Sequence, residues 1–442
     1  MPKQQPTTQY HHYIPQFLLS RFSHSGILEE NGDGRKRWPE KMLSAASLDE
    51  DSPKIVEVRV RKTFGEQDMY KDEFASKDQM RIEKALGRIE ARAGQIIKKA
   101  VDAYENGHGT VVLLRLEKDI LRKFQFVMKY RSPIFFKRFN HQTADGYNSN
   151  DRTPFLEYMK SKNFKRPLDV WFHDLMAIID EPMDPAGNWI TKLADRIFPG
   201  DALWIFTNVR LMHLAFVTPS NESEEFILTG NAFGIHEGPV SCSANRRTGE
   251  LTITMYTEFH ILNVISPKLM MLLRSNLMPE PFEDKDESVR KQREAELNFH
   301  AAMHLDPEHA RSLLADLPVA KARNSYTVVK KGCILLAKGA DGVPRARDTF
   351  TFSFFRLESR HAQMLNAVML DQAHNTKLIV FNSKSALRKA LEFYLSMPTQ
   401  ANGMFSMKTI SELPDDPMLI LFRKLEQVAR LLGSDVKAKY HI

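Results

Sequence analysis

Cysteine is almost missing from this chain: Cys242 and Cys333 are the only two among 442 residues. Two thiols exclude a disulfide framework and any zinc knuckle built on a CxxC pair, and a reducing compartment is their natural home. Long apolar runs are missing as well. The most apolar stretch, 203–217, is interrupted by Asn208, Arg210 and His213 and is too polar to cross a bilayer. The first eight residues are polar, rich in Pro and Gln, and carry no apolar signal core. The expectation is a cytoplasmic protein, with the nucleus permitted and no membrane partner. No glycine-rich phosphate loop of either standard spacing occurs, and no Gly-x-Ser-x-Gly elbow, so nucleotide-dependent phosphoryl transfer has no sequence foundation. A histidine-based Ser or Cys triad stays open. Long basic runs are also lacking. Arg35 to Arg37, Arg59 to Lys62 and 160–166 are short clusters that read best as solvated surface. The net charge of +7 and a pI near 9.1 permit a nucleic-acid partner without demanding one.

What is present is ample apolar surface: 28 Phe, 11 Tyr and 4 Trp rule out whole-chain disorder and allow a sizeable core. Residues 1–9 read as a flexible arm, and 29–53 as a turn-rich stretch marked by Asn31-Gly32-Asp33-Gly34. Residues 54–62 alternate Val with charge and predict a half-buried strand. Apolar residues at helical spacing predict a long helix over 76–104 and a second over 113–140, kinked or ended at Pro133; further helix runs through 154–198, broken by prolines. Residues 202–218, 225–229, 251–255 and 258–265 read as antiparallel strands, and helix is expected to return from Pro267. Strands at 347–356 and 377–381 and helices at 286–303, 358–373, 383–396 and 418–432 complete the pattern. The fold class is α+β: a helix-rich N-terminal half, a central antiparallel or mixed sheet, and a helix-strand-helix return. The expected divisions are 1–9, 10–198, 199–396, and a linker with a C-terminal amphipathic helix over 397–442.

The most distinctive string is Tyr10-His11-His12-Tyr13-Ile14-Pro15-Gln16-Phe17-Leu18-Leu19-Ser20-Arg21-Phe22. Adjacent side chains point to opposite faces of a strand, or about 100° apart on a helix, so His11 and His12 are expected to do different work: one facing a pocket as base or ligand, the other bonding inward. The alternative is that both merely dock the segment onto the fold. This string resembles the opening signature of the large family of proteins of unknown function numbered 4238, whose members begin His-His-Tyr-x-Pro-Gln-Phe. Thr63-Phe64, Tyr70, the run from Ile82 to Glu90, Arg131-Ser132-Pro133, the stretch Phe226 to Asn231, and 259–273 resemble later parts of the same family, so the likeness covers most of 10–385. The family implies no activity. One departure stands out: where many members carry Asp, this chain has Asn231, an amide that cannot usefully accept a proton at neutral pH.

Glu83 and Glu90 are seven apart and lie on one side of the expected helix, where they could face the histidines. Arg131 is either a bidentate anion binder or a helix-end residue. The candidate site is therefore His11 and His12 as tentative catalytic groups, with Gln16, Glu83, Glu90, Arg131 and Asn231 as ligand-binding groups. Glu296, His300 and His304 share a helical stripe, but they lack the Glu of a His-Glu-x-x-His helix. Three functions follow. The first in weight is a binding protein that holds a small anionic ligand or partner in a His/Glu/Arg/Asn pocket. The second is a metal-dependent phosphodiester hydrolase using the doublet, although His24 precedes Asn31 in the wrong order for a His-Asn-His unit. The third is an interaction protein with an architectural doublet. No cofactor is predicted, a divalent metal is permitted, and the sequence leaves both catalysis and oligomeric state undetermined.

Overall fold

The computed structural model describes residues 8–26, 40–48, 52–75, 78–244, 251–398, 407–410, 413 and 415–440. The expected arm over 1–9 (apart from its last two residues), the Asn31–Gly34 turn, the Arg35–Arg37 cluster and much of the 397–416 linker lie outside them. Gln9 is tied down: its backbone N–H donates to the Asp68 carboxylate at 2.9 Å and its carbonyl accepts from Asp68 N–H at 2.8 Å.

The fold is α+β. In chain order its helices are α1 (Gln16–Leu19), α2 (Arg81–Glu105), α3 (Arg115–Tyr130), α4 (Pro133–Phe139), α5 (Arg152–Lys162), α6 (Pro167–Asp180), α7 (Trp189–Ala194), α8 (Pro199–Phe206), α9 (Glu287–Ala302), α10 (Ser359–Asp371), α11 (Lys384–Ser396) and α12 (Pro417–Leu431). α2 buries Ile82, Leu86, Ile89, Ala93, Ile96 and Ile97 and packs on α3 and α6. The 3.6-residue period puts these on one stripe, which is why the sequence pattern located it. The chain breaks between α3 and α4 because Pro133 has no N–H to continue the ladder. Ser132 caps the new helix by accepting from Phe135 N–H.

Two larger sheets carry most of the strands among the described residues. The first is mixed: Thr349–Leu357 runs parallel to Met212–Pro219, while its other pairings, with Thr110–Leu114 and Arg323–Asn324, are antiparallel. Met212–Pro219 continues antiparallel to Leu269–Ser275, which pairs with His260–Ser266 and then Ile235–Glu237. The second sheet is centred on Lys41–Ser47. Lys54–Arg59 lies on one side, and Ser23–Ser25 and Leu378–Phe381 share the other. Val60 to Lys62, expected to extend that strand, form a 3-10 turn instead.

Three expectations are corrected. Residues 202–211, expected to begin the strand over 202–218, lie instead in helix α8 and a π-helical turn over Thr207–Leu211. Pro199 in the first turn pre-sets a helical φ, which outweighs the β-type composition behind it. Helix does not return at Pro267: Leu269–Ser275 is a strand in which every residue is buried. A continuous apolar run has no alternation to distinguish the two, and its place between two other strands decides. Residues 110–114, counted partly into the second helix, form a strand whose exposed and buried residues alternate.

His213 lies on the central strand Met212–Pro219. Its Nδ1 is 3.2 Å from Asn276 Oδ1 and its Nε2 has no partner. Burial pushes its pKa down to about 3, against the opposing pull of Asn276. The folded pKa lies below the unfolded one, so the unfolded chain takes up the proton first. The contribution is complete above about pH 6.5 and is lost on acidification at about 1.4 kcal/mol per pH unit. A His213→Gln chain is expected to show a flatter fall of unfolding free energy between about pH 6.5 and 4.5 than the parent. Equal slopes in denaturant titrations would count against a neutral buried ring.

Candidate functional site

The histidine doublet sits on a short strand, Tyr10–His12, paired antiparallel with Gly65–Gln67. Gly65 is required there: a Cβ would fall 2.5 Å from the His11 carbonyl oxygen and 2.6 Å from the Tyr10 ring. The two histidines diverge as strand neighbours must. His11 points inward. Its Nδ1 accepts from Tyr70 N–H at 2.9 Å, so the neutral ring carries its proton on Nε2. It stacks on Tyr70 at 5.3 Å, and Tyr70 stacks in turn on Trp171 at 6.0 Å. Burial holds its pKa below the ordinary value, with Asp68 opposing.

His12 points the other way, into a groove of about 570 Å³ between the N-terminal segment and α2. Pro15 starts α1, which buries Leu18 and Leu19 and so turns Gln16 and Phe17 toward the groove. Arg21 follows at its end. The opposite wall is the α2 stripe of Glu83, Gly87, Glu90 and Gly94, next to the buried stripe. A glycine inside a helix costs about 1 kcal/mol relative to alanine. Gly87 has open space where a Cβ would be, and Gly94 lies against the Phe17 ring, so both keep the wall shallow. The groove thus gathers His12, Gln16, Glu83 and Glu90 from the predicted set. His11 faces away from it.

Arg131 lies behind this wall. It is fully buried, donates through Nη1 to Glu90 at 2.5 Å and through Nε to the Tyr13 carbonyl at 3.2 Å, and leaves Nη2 without a partner. Burial works against its charge, but Glu90 outweighs burial and raises its pKa. Glu83 has no such partner: burial and the nearby Glu90 charge push its pKa up, only partly offset by Arg131. The single guanidinium is thus bonded to Glu90 and not to Glu83. His12 is held below the ordinary imidazole value by burial, with Val60 and Glu90 opposing. Its Nδ1 is 3.4 Å from Gln16 Nε2, and its Nε2 makes no hydrogen bond of good geometry. Arg21 is half-buried, its Nε has no partner, and burial lowers its pKa against the pull of Glu105 and Asp102. Lys98, further along α2, is paired with Asp102.

Asn231 is not in the groove. Its side-chain amide donates to the Gln372 carbonyl and its own carbonyl accepts from Gly234 N–H at 2.9 Å. The residue fastens a buried turn. Glu296, His300 and His304 do not converge either. Glu296 accepts from Gln292, while His304 lies past the end of α9 between the hydroxyls of Ser241 and Thr257, at 3.0 and 2.9 Å. Among the described residues no group of three or more His, Cys, Asp or Glu is placed to hold a metal ion. Sequence reasoning missed Arg21, Phe17 and the two glycines as groove residues. A pair of glycines seven apart inside a strongly helical pattern was the available signal.

Glu90→Gln removes the counter-charge of a buried guanidinium and is expected to lower the unfolding free energy by about 3 kcal/mol in urea denaturation. A loss under about 1 kcal/mol would show that the Tyr13 carbonyl alone suffices. Asn231→Asp replaces a donor by an acceptor opposite the Gln372 carbonyl and is expected to cost about 1–3 kcal/mol. An unchanged stability would remove the fastening role assigned to this amide.

Searches of curated proteins and of solved structures returned no match. A family model described as Protein of unknown function (DUF4238) matches residues 10–385, which span the doublet, α2, Arg131 and both larger sheets. The chain belongs to that family.

Proposed function

We propose that the groove between the N-terminal segment and α2 binds a small organic anion, phosphate- or carboxylate-bearing, without a bond-breaking step. The observation that carries this is the Arg21 guanidinium at the groove, half-buried and with no hydrogen-bond partner for its Nε among the described residues, beside the His12 ring and the Gln16 amide. Buried polar atoms normally have partners, so a guanidinium nitrogen without one beside a cleft points to an acceptor from outside. Arg21 supplies the charge, and Gln16 an amide that can donate or accept. Glu83 and Glu90, at the far end, suit hydroxyl or amino groups of the same ligand. The groove volume falls within the range of small-molecule sites. The metal-dependent hydrolase reading gains nothing from the described residues, which offer no cluster of metal ligands. The architectural reading suits His11, whose ring stacks on Tyr70 and accepts from its N–H although its Nε2 has no partner among the described residues; His12 instead borders the groove.

The test is thermal unfolding and calorimetric titration with inorganic phosphate, pyrophosphate, adenosine monophosphate and citrate. At least one should raise the midpoint of the parent chain, because a ligand that prefers the native state must do so. Arg21→Ala should weaken that ligand by about tenfold or more. His12 is neutral near pH 7, so binding should tighten on acidification as the ring gains charge, and His12→Gln should remove that pH dependence. If none of the four anions shifts the parent, or if Arg21→Ala binds as the parent does, the proposal fails.

A further inference from the structure

A two-stranded ribbon, Thr327–Lys330 paired antiparallel with Cys333–Leu336, stands apart from both larger sheets. Its turn is Lys331-Gly332, both at positive φ, the pattern of a tight hairpin. The ribbon is held at both ends. At the tip, a Cβ on Gly332 would overlap Asp286 at the start of α9, so only glycine lets the turn sit there. At the base, Asn324 accepts from the N–H groups of Tyr326 and Thr327, and Ala337 N–H donates to the Tyr326 carbonyl.

The register puts Val328 opposite Leu335 on one face, and Val329 opposite Ile334 with Leu336 on the other. All five are 46–57% exposed. Apolar pairs on both faces of one thin ribbon are unusual, since a strand bordering water normally keeps a polar side. A flat protein partner would cover one face and leave the other wet. A fluid apolar layer covers both. Lys330 and Lys331 flank the turn and Lys338 lies just beyond the base; all three are exposed and form no ion pair among the described residues. The ribbon itself contains no acidic residue; Asp286 against its turn accepts from Ser288 and Val289 N–H at the start of α9 and from the Cys333 thiol, and the nearby Asp341 is paired with Arg345. Aliphatic residues bracketed by free lysines match the two attractions that hold peripheral proteins at anionic lipid, apolar burial and headgroup charge.

We propose that this ribbon seats at the headgroup level of an anionic lipid surface, with its aliphatic pairs dipping below the lysines. The unpaired backbone groups along its two outer edges keep it at that level, where water and phosphodiester oxygens can satisfy them. No helix among the described residues is long and apolar enough to cross a membrane. The expectation of no membrane partner rested on such spanning segments, and attachment from one side needs none.

The full chain should co-sediment with vesicles containing roughly a third phosphatidylserine, and much less with phosphatidylcholine alone, more weakly as salt is raised. Ile334→Ser/Leu335→Ser, which touches both faces, and Lys330→Glu/Lys331→Glu should each lower the bound fraction about tenfold at unchanged circular dichroism. Arg21→Ala, in the distant groove, should bind vesicles as the parent does, which separates this proposal from the anion site. Absence of binding by the parent, or full binding by both double variants, overturns it. A concentration-dependent dimer in sedimentation equilibrium that Ile334→Ser/Leu335→Ser abolishes, without vesicle binding, would overturn it too and assign the ribbon to a second copy of the chain.

Discussion

The contact on which the site depends is the one between the buried guanidinium of Arg131 and its two acceptors. Glu90 belongs to α2, the Tyr13 carbonyl to the N-terminal segment, and Arg131 itself to the junction of α3 and α4. One side chain joins three pieces of chain that are far apart in sequence. Burying a charge without a partner costs several kcal/mol, so the fold can place Arg131 there only if both acceptors arrive. That requirement sets the distance between His12 and α2, and hence the groove.

The same ion pair sorts the charges around the groove. Glu90 lies against a cation, whereas Glu83, two turns earlier, meets burial and a neighbouring anion that raise its pKa above the ordinary value. His12 is disfavoured as a cation by the same burial. The groove thus has the carboxylates of Glu83 and Glu90 at one end and the Arg21 guanidinium, with Asp102 and Glu105 acting on it, at the other. Such polarity suits a ligand with an anionic group at one end and donors at the other. The exposed ribbon of 327–336 lies elsewhere in the fold and obeys different physics: it carries apolar surface without a cover rather than donors without acceptors.

Much of the site was legible as spacing. The doublet on a strand had to split between two faces, and Glu83 and Glu90 had to share one side of α2, because both follow from backbone periodicity. Arg21 was present in the same distinctive string but carries no periodic signal; it reaches the groove only because α1 is a single turn. Asn231 shows the opposite case. Resemblance marked it as a site residue, yet its amide is consumed by the Gln372 carbonyl, a partner 141 positions away that no local pattern could announce. The strand at 269–275 was lost for a related reason: full burial erases the alternation that distinguishes strand from helix.

By itself the sequence determined the α+β class, the buried stripe of the long amphipathic helix α2, the break at Pro133 and the divergence of His11 from His12. All of these follow from sterics and periodicity within a few residues. Tertiary structure alone decided which carboxylate meets Arg131, that Arg21 rather than Asn231 borders the groove, and that an apolar ribbon is left uncovered. Those outcomes depend on burial and on partners distant in the chain, and the free energy of a buried charge or an exposed aliphatic side chain is set by what surrounds it, not by its neighbours in sequence.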